Sequence, residues 1–108
     1  MAQTAQYATG EMAGALAPTF IQSIDSGEDP RVRIAAIRGL RFAPGTDAPQ
    51  ALARAAADPA DDVRIAAIDV LASRPSNEET LRRLATTDPS ARVREFAQCR
   101  MLVAKEAH

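Results

Sequence analysis

The chain has no tryptophan, one tyrosine, three phenylalanines, one cysteine and one histidine in 108 residues. A single cysteine rules out an internal disulfide, and one cysteine with one histidine falls short of an ordinary zinc site. Neither a metal nor another cofactor is therefore expected. No apolar run approaches the roughly 20 residues needed to span a bilayer, so no membrane partner is expected. The opening MAQTAQYATG lacks the basic start and apolar stretch of a signal peptide, which points to the cytoplasm. Charge of one sign is missing too: 13 basic and 14 acidic residues leave a net −1, a poor match to nucleic acid or an anionic surface. There is no glycine-rich phosphate loop, and the carboxylates gather near turns rather than as a pair poised for acid–base work. Cys99 has no base to activate it, because the only histidine is His108, the last residue. The chain is read as a non-enzyme with no catalytic residues.

What is abundant is alanine, 24 residues, which favours helix and argues against a β-rich fold. Lysine occurs once against twelve arginines, a bias that fits a GC-rich bacterial genome and is given no functional weight. The strongest signal is self-similarity. Val32-Arg33-Ile34-Ala35-Ala36-Ile37-Arg38-Gly39-Leu40 returns as Val63-Arg64-Ile65-Ala66-Ala67-Ile68-Asp69-Val70-Leu71, and again, degraded, from Val93 to Met101. Each copy follows an Asp-Pro turn: Asp29-Pro30, Asp58-Pro59 and Asp88-Pro89. A period of 30 to 31 residues with two helical stretches per unit predicts an all-α protein, an α-solenoid of about three helix pairs plus an N-terminal helix. The predicted division is 1–17 for that N-terminal helix or half-repeat, then units at about 18–48, 49–78 and 79–108. First helices are expected over Pro18 to Ser26, Pro49 to Ala57 (capped by Thr46 or Asp47), and from the Ser76-Asn77-Glu78-Glu79 capping box to Ala85. Second helices should run to about Arg41, Ala72 and Lys105. In the N-terminal stretch, Ala5, Ala8, Met12 and Leu16 fall at helical spacing.

The run D-P-x-x-x-V-R-x-x-A, closest at Asp58-Pro59 to Leu71, resembles HEAT repeats, and more narrowly the short phycobilisome-lyase HEAT-like type. The resemblance covers about Pro18 to Lys105. It implies stacked helix pairs joined by an Asp–Arg ladder, with a non-catalytic scaffold or interaction role. It also brings alternatives: nucleic-acid binding, and a subunit or fragment of a lyase or lipid-transfer protein.

Placed on a helix wheel, Arg33, Arg64 and Arg94 lie inside the apolar arc, where a lone charge is expensive. They are expected to form a structural ladder with turn aspartates drawn from Asp29, Asp58, Asp61, Asp62 and Asp88. The outward strip of the second helices carries Ile34, Arg38 and Arg41, then Ile65, Asp69 and Ala72, then Glu95, Cys99 and Leu102. Ile34, Arg38, Arg41, Ile65, Asp69 and Cys99 are the candidate partner-binding residues, on the concave side, suited to an acidic or amphipathic protein segment. For nucleic acid, Arg31, Arg38, Arg41, Arg74, Arg82, Arg83, Arg92 and Arg100 are available. Near-neutral charge, a single Tyr and Asp69 in mid-groove count against that alternative. Glu95, Gln98 and Arg100 give the third unit a polar, cap-like face. The N-terminal edge lacks one, which leaves self-association through it as a second expected contact.

Overall fold

The structure, a computed structural model, describes residues 10–27, 29–44, 47–74 and 78–106, with side chains described from residue 16 to residue 103 within those spans. Six helices follow one another among the described residues: α1 (Gly10–Ser26), α2 (Pro30–Gly39), α3 (Asp47–Ala55), α4 (Asp61–Ala72), α5 (Glu78–Thr87) and α6 (Ala91–Glu106). They pair as α1 with α2, α3 with α4 and α5 with α6. The second helices lie side by side, α2 on α4 and α4 on α6, while α1 packs on α3 in the other layer. This is an α-solenoid with an inner row of second helices and an outer row of first helices.

The core follows the repeat. Ala36, Ala67 and Ala97 are buried at one register, Ile37 and Ile68 at the next, and Leu40 and Leu71 one turn on. Val63 and Val93 are fully covered, whereas Val32 is 48% exposed because its helix has no preceding unit among the described residues. At the other end Gln98 replaces the buried isoleucines and is exposed, its amide donating to the Ala85 carbonyl at 3.0 Å. A polar residue is tolerated there because the last face is open to water.

The predicted break between an N-terminal helix over 1–17 and a first helix at Pro18 does not occur within the described residues. α1 continues unbroken through Pro18. A proline inside a helix loses one hydrogen bond and costs about 3 kcal/mol. Here Ala17 and Ile24 are buried, and Phe20 and Ile21 partly so, which holds the helix against its neighbours. Ala5 and Ala8 lie outside the described residues, as do Thr46 and Ser76, two of the expected caps. α3 starts at Asp47, so Asp47 is its first residue rather than its cap. α2 stops at Gly39, short of Arg41. Gly39 has a steric reason: a Cβ there would meet the Phe20 ring at 2.7 Å.

The arginines inside the apolar arc are held in a repeated pattern. Arg33 donates from Nε and Nη2 to the Asp58 carboxylate at 2.8 and 3.1 Å, and from Nη1 to the Gly27 carbonyl at 2.8 Å. Arg64 donates likewise to Asp88 at 2.9 and 3.1 Å and to the Asp58 carbonyl at 2.8 Å. Each arginine thus grips the turn of the following unit with one edge and the turn of its own unit with the other. Among the described residues Arg94 keeps only its own-turn contact, to the Asp88 carbonyl at 2.6 Å. Asp29, Asp61 and Asp62 take no ladder arginine. Asp29 caps α2, accepting the Arg31 N–H at 2.8 Å, and pairs with the Arg31 side chain at 3.0 Å. Asp61 and Asp62 sit on the first turn of α4, where Arg92 reaches them. The reason is position: they begin α4, whereas the ladder arginines point back towards the turns preceding the second helices.

Candidate functional site

Three helices of the inner row shape one groove. α4 forms its floor with Asp62, Ile65, Ala66 and Asp69; α2 contributes Ile34 and Arg38, and α6 contributes Phe96. The hollow measures 440 Å³. Ile34, Ile65 and Phe96 are partly buried against the core, so each keeps only part of its surface for a partner. Successive turns of α2 and α4 bring these residues together, because offsets of two and six from each repeat valine fall on one helix face.

The charges are unevenly placed. Asp69 receives Arg41 from the turn after α2 at 3.1 Å and faces Arg100 from α6 at 3.5 Å. The Arg100 Nε is buried and lacks a hydrogen-bond partner among the described residues. Arg38 is exposed and forms no ion pair among the described residues. Of the three arginines at this end, Arg38 lines the groove, while Arg41 and Arg100 are held on Asp69 outside the lining. At the other end a single guanidinium, Arg92, lies between Asp61 and Asp62. The hydrogen bond that Arg92 donates to Asp62 and the charge of Asp61 raise the Arg92 pKa above the ordinary arginine value.

Four of the candidate residues, Ile34, Arg38, Ile65 and Asp69, line this groove. Arg41 touches it only through Asp69, and Cys99 is exposed but does not line it. Sequence reasoning did not place Phe96 or Asp62 in the groove, nor Arg100 on Asp69. Phe96 had a signal, being an aromatic ring at the register of Ala35 and Ala66. Among the described residues no group of three His, Cys, Asp or Glu side chains could hold a metal ion, and no helix is long and apolar enough to cross a membrane.

A larger hollow of 660 Å³ lies on the outer row, between α1 and α3. Its Asp25 and Arg54 pair at 3.1 Å and its remaining lining charge is Asp47, so it presents no unpaired guanidinium among the described residues. Of the eight arginines considered for nucleic acid, Arg31, Arg41, Arg92 and Arg100 lie against carboxylates. Arg74 donates to the Leu40, Arg41 and Ala43 carbonyls at 3.0, 3.1 and 2.8 Å, closing the end of α2. That engagement disperses the basic surface that phosphate binding would need.

The fold and the groove define a helical-repeat protein whose open inner row is its distinctive surface. The family model for HEAT repeats matches residues 17–99, and the chain belongs to that family. No curated protein and no solved structure matches the chain.

Proposed function

We propose that the protein is a non-catalytic interaction module that binds a polypeptide segment in the groove between α2, α4 and α6. HEAT repeats generally mediate protein interactions or scaffolding, which supports the class. The observation that carries the reading is Arg38: an exposed guanidinium without an ion pair among the described residues, beside partly exposed Ile34 and Ile65. A stacked array is rigid, so little ordering entropy is lost when a partner docks.

A photo-crosslinking amino acid placed at position 35, exposed on α2 beside Ile34 with Arg38 left intact, tests this in the native host. The expected result is a protein adduct at position 35 and none at position 82, which lies on α5 in the outer row. Equal adducts at both positions, or adducts only at 82, overturn the reading.

A further inference from the structure

Resting on that reading, we infer the chemistry of the segment: it carries an acidic side chain and a basic one about 10 Å apart, with an apolar side chain between them. The spacing follows from α4. Asp62 and Asp69 are seven residues apart on one helix, hence about 10 Å along its axis. In an extended chain that distance is about three residues.

The two ends differ in what they lack. Around Asp69, Arg41 arrives from the turn after α2 and Arg100 from α6, so one carboxylate is shared between two guanidinia. The sharing is incomplete, since the buried Arg100 Nε makes no hydrogen bond among the described residues. Both arginines already share Asp69 and the Arg100 Nε is buried, so the guanidinium left for an added carboxylate is that of the exposed Arg38. Arg38 stands in the same groove with no ion pair among the described residues, in the last turn of α2 and three residues before Arg41. Around Asp62 the balance reverses, because Arg92 is divided between two carboxylates. A segment with an acid at one end and a base at the other would meet its complement at both, and would dock in only one direction. Between them Ile34, Ile65 and Phe96 offer apolar contact.

The test is selection of a random peptide library displayed on phage against the full-length protein. The expected result is enrichment of peptides with an acidic and a basic residue separated by about three positions and an apolar residue between. These peptides should lose at least about tenfold in affinity for Arg38→Glu, the equivalent of one charge-assisted contact. Exchanging their acidic residue for lysine should restore binding to Arg38→Glu. Arg38 makes no ion pair among the described residues but lies in the last turn of α2, so Arg38→Glu should stay folded with only a small drop in Tm. Peptides that lose binding to Ile34→Ala but ignore Arg38→Glu overturn this inference and leave the groove in place. Peptides indifferent to both substitutions overturn the groove as well. Selection that enriches nothing, or enriches peptides without acidic residues, also overturns the inference.

Discussion

Asp58 joins two units through one side chain. Its carboxylate takes Nε and Nη2 of Arg33, 25 residues earlier, at 2.8 and 3.1 Å, while its Oδ1 also accepts the Ala60 N–H at 2.9 Å and sets the turn into α4. Asp88 repeats both contacts with Arg64 and the Ser90 N–H. The pattern makes the ladder a junction between neighbours rather than a brace within one unit.

The rungs should therefore differ in strength. Arg64→Ala leaves Asp88, only 5% exposed, without its guanidinium, and removing one partner of a buried pair costs about 3–5 kcal/mol. Arg94→Ala removes a single bond to a carbonyl and should cost about 1–2 kcal/mol. Urea unfolding of the two variants measures the contrast. Equal losses would mean that the bidentate contact contributes nothing beyond the arginine stem and the carbonyl bond.

The contact between Gly39 and Phe20 yields a second contrast. The repeat puts Val70 and Arg100 where the first unit has Gly39, so the position itself does not require glycine. What requires it is the Phe20 ring, 2.7 Å from where a Cβ would stand. Gly39→Val should cost about 1–3 kcal/mol by overpacking. In a Phe20→Ala background the same substitution should cost much less, because the cavity receives the new methyls. Thermal melts of the four proteins in the cycle decide it, and strict additivity would remove Phe20 as the cause.

The fold was legible because its signal is periodic. Val32, Val63 and Val93 mark one register, and the Asp-Pro turns mark where first helices give way to second ones. The continuity of α1 was not legible, since Pro18 is a local stop signal and only burial of the surrounding face outweighs it. The ladder arginines could be read from their place in an apolar arc, but their aspartates could not. Asp58, Asp61 and Asp62 are close in sequence, and only the stacking geometry separates the one facing a preceding unit from the two facing Arg92. Arg74 looked like surface charge for the same reason: its acceptors are carbonyls more than 30 residues away. In the groove, Ile34, Arg38, Ile65 and Asp69 share a helical offset and so were visible, whereas Arg100 arrives from another unit at a different offset.

Asp29 offers a test by titration. The side-chain hydrogen bond from Arg31 lowers its pKa below the ordinary aspartate value, and the Arg31 backbone N–H and the Arg33 charge add to that. The same pairing raises the pKa of Arg31. A carboxyl whose folded pKa is lowered adds stability above its unfolded value, and loses it as pH falls through the folded one. In Arg31→Ala the side-chain bond is gone, but the backbone N–H at 2.8 Å remains. The Asp29 pKa should therefore rise without reaching the ordinary value, and the pH window over which the carboxyl gives up its stability should narrow from the acid side. Carbon NMR of the side-chain carboxyls across an acid titration measures both proteins directly. An unchanged Asp29 pKa in Arg31→Ala would assign the lowering to the backbone N–H of the cap and the Arg33 charge.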